Sequence, residues 1–208
     1  MPSSKDRPIV EAILEGGEVV ADILMRGELL AEIPLIGTAI KVCKAADSIR
    51  DRAFAIKLSN FVLNLEGISE EQKDKLKEKM GAGTEEAQKV GETLFFILDR
   101  VTDLDKPILL SQIFLAYIDG VVSSEYLRRL CQAVDTAFPD DLQEFLIAEV
   151  TLQKSDDRWM RYLVPSGLTR LVGTQTIDEI GAKNYYEITS LGQALRQAYI
   201  HAKQDKAQ

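Results

Sequence analysis

Few residues in this chain carry side chains that do chemistry at neutral pH, and their spacing limits what they can do. The one histidine, His201, stands near a polar C-terminus with no cysteine or carboxylate at motif spacing, and is expected at the surface. Nucleophilic catalysis would have to recruit it from the end of a fraying helix, a poor place to hold geometry. Cys43 and Cys131 are far apart in sequence, and with one histidine they cannot complete the four N or S ligands of a usual structural zinc site. Asp99, Asp103 and Asp105 cluster around a helix end but lack the ligand spacing and trailing glutamate of a calcium loop. Gly81-Ala82-Gly83 lacks the lysine and flanking strand of a phosphate loop. The expectation is a protein without catalytic residues, cofactor or metal, and therefore not an enzyme.

The elements that position these residues are mainly helical. From Pro34 to Leu65, apolar residues recur at Leu35, Ala39, Val42, Ala46, Ile49, Ala53, Leu58, Phe61 and Leu65. Steps of three and four mark one helical face. Pro34 suits a first helical turn and Gly67 a helix end. The spacing predicts one long helix, on the order of 45 Å at about 1.5 Å per residue. Lys41, Lys44, Asp51 and Lys57 fall on its solvated side, and the short apolar pieces before it fold back upon it.

Behind Gly67, Ser69 and Gln72 form a capping box. The helix it opens carries charge on nearly every side, and Gly81-Ala82-Gly83 stops it. Thr84 caps the next helix, whose buried stripe is Val90, Leu94, Ile97, Leu98 and Val101. Lys106-Pro107 starts another, with Leu109, Leu110, Ile113, Phe114 and Tyr117 inward. Asp119-Gly120 ends it. Ser123 or Ser124 then caps a helix bearing Leu127, Leu130, Cys131 and Val134. Pro139-Asp140-Asp141 separates it from a helix with Leu142, Phe145, Leu146 and Val150.

Composition sets the class. With 46% hydrophobic residues among 208 the chain can bury a substantial core. A net charge of −8 opposes general capture of nucleic acid or anionic lipid. Cys43 and Cys131 lie on apolar stripes, where a thiol acts as a small hydrophobe; buried and reduced is the reading, a mutual disulfide the remaining alternative. Met1–Arg7 lacks the order of a secretory signal, so cytoplasmic residence is expected. Leu29–Ala46 is apolar but holds Glu32, Lys41 and Lys44, and no charge-free run reaches about eighteen residues. No transmembrane span is expected. An interfacial helix is the alternative, with Leu35, Ile36 and Ile40 on its apolar face.

The tail changes character. Gly173–Ile177 and Tyr185–Thr189 are β-prone runs joined by a turn around Gly181 and Asn184, and Ser190 returns to a helix that frays from Lys203. The order Ser166-Gly167-Leu168, hairpin, Tyr186-Glu187-Ile188-Thr189, Leu191-Gly192-Gln193-Ala194-Leu195 resembles the end of a winged-helix domain. The resemblance implies that Asp156–Val164 corresponds to the recognition helix and Ile177–Asn184 to the wing tip. It also makes Arg158, Trp159, Arg161, Arg170 and Lys183 the candidate contacts to DNA or to a protein partner. Eight basic and ten acidic residues from Asp140 onward leave a balance of −2, whereas a DNA-contacting domain is basic on the facing side. The front part is similar to small uncharacterised helical proteins of bacteria and their phages.

The expected architecture is mainly α: a helical bundle around one long helix (residues 1–138), followed by a small winged-helix-like α+β domain (139–208). The expected role is a non-enzymatic interaction or regulatory protein of a prokaryote or phage, binding another macromolecule and self-associating. A winged-helix DNA-binding transcription regulator and a membrane-interface-acting helical protein are the alternatives.

Overall fold

A computed structural model describes residues 33–34, 36–37, 39, 49–81, 83–148, 157–177 and 181–205. Among them are eight α-helices and one two-stranded antiparallel sheet near the C-terminus. The helices are α1 (Ile49–Leu63), α2 (Glu70–Gly81), α3 (Glu85–Arg100), α4 (Lys106–Ile118), α5 (Ser124–Thr136), α6 (Pro139–Ile147), α7 (Arg158–Tyr162) and α8 (Ser190–Asp205). A 3-10 turn, Val164–Ser166, leads from α7 toward strands β1 (Thr169–Ile177) and β2 (Gly181–Ile188). The protein is thus mainly helical with a small α+β unit at its end.

Local signals place the helix starts. Ser69 Oγ accepts from the Gln72 amide at 3.2 Å while the Ser69 amide donates to Gln72 Oε1 at 3.0 Å, the reciprocal pair of a capping box. Thr84 caps the Ala87 amide at 3.1 Å and Ser123 that of Tyr126 at 3.2 Å. The expected stripes of α3, α4 and α5 are all buried. Helix α4 is apolar around most of its circumference, as befits a helix enclosed by others. It packs against α1, α2, α5 and α8.

Of the long helix predicted over Pro34–Leu65, Ile36, Gly37 and Ala39 are helical, as is all of α1, while 40–48 lie outside the described residues. The solvated side of α1 differs from expectation. Ala53 is exposed and Lys57 is buried, because the second half of α1 lies against both α3 and α4 and is covered beyond a single stripe. Residues 33–34 approach α3 at Gly91, where a Cβ would stand 2.3 Å from the Pro34 carbonyl oxygen. Only glycine allows that approach.

Basic side chains, buried at Lys57 and Lys106 and half-buried at Lys79 and Arg196, tie helix ends together. Lys57 Nζ donates to the carbonyls of Asp99 (2.5 Å) and Val101 (3.1 Å) at the end of α3. Lys79 reaches Tyr117 O at the end of α4 (2.7 Å) and Lys106 reaches Asp135 O at the end of α5 (2.9 Å). Arg196 of α8 donates to Ala148 O just beyond α6. Final carbonyls lack intrahelical donors and carry the negative end of the helix dipole, so cations satisfy both. Burial holds the Lys57 and Lys106 ammonium groups below the usual lysine range; the charges of Asp99 and Asp135 respectively act against that shift.

The rear unit shares this interior. One apolar cluster runs from Ile33 to Ala198, across Pro139, and α8 lies on α4 and α5 with Ala194, Leu195, Ala198 and Ala202 buried. The hairpin pairs Thr169 with Ile188 through Ile177 with Gly181, with a bulge between Leu171 and Gly173. Gly181 and Asn184, expected in the turn, belong to β2. Thr174 Oγ1 donates to Asn184 Oδ1 at 2.8 Å, so pairing extends farther than the β-prone runs alone indicate. Of the predicted wing tip, 178–180 lie outside the described residues. Thr189 joins hairpin to helix: its Oγ1 accepts the Gly192 amide at 3.1 Å and donates to Gly167 O at 2.7 Å. A Cβ on Gly192 would stand 2.3 Å from Leu168 O.

Candidate interaction surface

Helix α7 is five residues long, and its two sides differ. Trp159, Met160 and the following Leu163 are buried. The Trp159 ring meets Phe145 of α6 edge-on, with centroids 6.0 Å apart and planes at 66°, a favourable aromatic geometry. Thr169 Oγ1 donates to Met160 O at 2.5 Å, fastening the helix to the hairpin. Outward stand Arg158 and Arg161, with Tyr162 at 52% and Val164 at 37% exposure. Arg158 also acts on Asp141, opposing the burial and acidic neighbours that raise that carboxyl above its usual range.

The sequence-predicted contacts therefore divide. Arg158 and Arg161 share the exposed side of α7. Trp159, expected as a contact residue, is a core residue. Arg170 donates from Nε to Glu187 Oε1 at 2.6 Å, across the hairpin. Lys183 lies over the Tyr185 ring, 5.6 Å from its centroid. Among the expected membrane-facing residues, Ile36 is fully buried, because the segment after Pro34 packs into the bundle; Leu35 and Ile40 lie outside the described residues. Among the described residues no helix is long and apolar enough to cross a membrane.

The residues that first drew attention for chemistry have definite places. His201, expected on a frayed surface, lies within α8 and its Nε2 is 2.8 Å from Asp119 Oδ2. The same oxygen accepts the Gln72 amide group at 2.8 Å, and Lys75 Nζ stands 3.7 Å from Oδ1. This node joins α2, the end of α4 and α8. Asp99 pairs with Arg50 at 3.0 Å, and Asp103 Oδ1 accepts the Asp105 amide at 2.7 Å in the turn before α4. Cys131 is a buried free thiol, pushed up to about 12 by desolvation; Cys43 lies outside the described residues. Among the described residues no three His, Cys, Asp or Glu side chains are placed to hold a metal ion.

Sequence reasoning passed over one further feature. A groove of about 550 Å³ runs between α5 and the start of the rear unit. Arg128, Arg129 and Thr136 line one side; Pro165, Ser166 and Leu191 line the other. Arg129 is held by Glu125, whose Oε1 accepts from Nε (3.1 Å) and from the terminal nitrogen (2.9 Å). Arg128 is half-buried, and its Nε donates to Ser124 O at 3.4 Å. The adjacent arginines on the polar face of α5, in an acidic chain, are the signal that would have marked it.

Comparison with protein-family models, with curated proteins and with solved structures finds no match for this chain.

Proposed function

We propose that this chain is a non-enzymatic interaction or regulatory protein, acting in the cytoplasm of a prokaryote or phage-infected cell by binding a protein partner through the exposed side of α7 and the 3-10 turn. The observation that carries the reading is the two-sided character of that segment. Trp159, Met160 and Leu163 seat it in the core, while Arg158, Arg161, Tyr162 and Val164 stand outward. Arginine and tyrosine on a rigid base are the side chains that dominate protein interfaces. A protein partner is favoured over DNA because a five-residue helix is only about 7.5 Å long, and because Arg170 is occupied by Glu187.

The test is capture from a lysate of the native host, with and without nuclease, using the full chain and the pair Arg161→Glu and Tyr162→Ala. A protein retained after nuclease and lost from both variants supports the proposal. Retention on DNA that vanishes with salt and with Arg158→Ala and Arg161→Ala would replace it with the transcription-regulator alternative. Sedimentation with liposomes would point instead to membrane-interface action.

A further inference from the structure

The groove between α5 and the rear unit has chemistry that the α7 surface does not use. It is an open groove of about 550 Å³, large enough to seat a small molecule. Ala133, Pro165 and Leu191 supply apolar lining. Its two cations are unequally balanced. Glu125 neutralises Arg129, whereas Arg128 is half-buried and, among the described residues, meets only the backbone carbonyl of Ser124. A half-buried guanidinium lining a cavity offers a fork for two oxygens of one anion. Arg50 and Arg170, by contrast, are each matched to a carboxylate.

The geometry points to a binding site for a small organic anion: a carboxylate or sulfonate gripped by Arg128, on an apolar body resting against Ala133, Pro165 and Leu191. The apolar lining sets the class, because an inorganic anion would leave that surface wet and unused. The Arg129–Glu125 pair forms a polar edge without adding net charge.

The experiment uses the full chain and the fluorescent probe 8-anilinonaphthalene-1-sulfonate, with displacement by 2-naphthoate, by neutral 2-naphthalenemethanol and by inorganic phosphate at matched ionic strength. Arg128→Gln removes the fork, Thr136→Trp fills the groove from an exposed position, and Arg50→Gln is the control. Helicity by circular dichroism confirms that each variant is folded. The site predicts one saturable binding event, displaced by naphthoate in preference to the neutral analogue and to phosphate. It also predicts affinity weakened about tenfold by loss of the charge-assisted pair, similarly weakened by Thr136→Trp and unchanged in the control. Binding that is absent, or equal within about twofold in both groove variants, would overturn the proposal. So would displacement by phosphate or the neutral analogue as effective as by naphthoate.

Discussion

His201 Nε2 and Asp119 Oδ2 are 2.8 Å apart although 82 residues separate them. Asp119 is nearly buried, with its side chain 10% exposed, and the same carboxylate holds Gln72 of α2. Removing it takes one polar partner each from Gln72 and His201. Asp119→Ala is expected to lower unfolding free energy by about 1–3 kcal/mol, the cost of unsatisfied polar groups in a covered site. His201→Ala, which removes one arm only, is expected to cost less. Urea titrations of both variants check this; equal, negligible shifts would mean the node is not structural.

The cations at helix ends make a second prediction. Lys57→Met retains much of the apolar stem but strips the Asp99 and Val101 carbonyls of their donor. Lys106→Met does the same at Asp135. Each is expected to cost about 1–2 kcal/mol, within the range for hydrogen bonds to charged groups after partial relief of lysine desolvation. The urea midpoint should fall at unchanged slope.

Two glycines are expected to reject the smallest side chain. At Gly91 and Gly192 a Cβ would lie 2.3 Å from a backbone oxygen, Pro34 O and Leu168 O respectively. Backbone cannot retreat as a flexible side chain does, so Gly192→Ala and Gly91→Ala should each destabilise by about 1–3 kcal/mol. Hydrogen exchange distinguishes them: Gly192→Ala should loosen the hairpin and the start of α8, Gly91→Ala the contact of α3 with the segment at Pro34.

Alkaline pH should weaken the fold. Burial raises the Cys131 thiol from 9.0 to about 12. Burial, followed by the adjacent Glu86 carboxylate, raises the Tyr117 hydroxyl from 10.0 to about 12. Above pH 9 the unfolded chain releases these protons and the folded one keeps them, so stability is lost as pH climbs from 9 toward 12. Lys57 and Lys106 act oppositely: their lowered values mean that the unfolded chain binds more protons just below 10.5, so stability rises with pH there. Denaturation from pH 8 to pH 12 should therefore show a net decline that Cys131→Ala flattens at its lower end and Lys57→Met steepens.

What the sequence alone determined is whatever depends on neighbours within a turn or two. The caps at Ser69 and Thr84, a cap at Ser123 or Ser124, and the stripes of α3, α4 and α5 were legible because capping and 3.6-residue periodicity are local; the structure chose Ser123. So was the small hairpin near the C-terminus, from its β-prone runs. Tertiary structure decided what depends on a partner far along the chain. Lys57 read as solvated because no local pattern announces that α3 will end beside it. His201 read as surface because Asp119 arrives from another helix. Trp159 read as a contact residue because no local pattern places Phe145 against its ring, and the groove at Arg128 exists only because the rear unit packs back on α5. A carbonyl end, a buried carboxylate and a concave wall are properties of juxtaposed elements, and the linear order of residues does not encode them one position at a time.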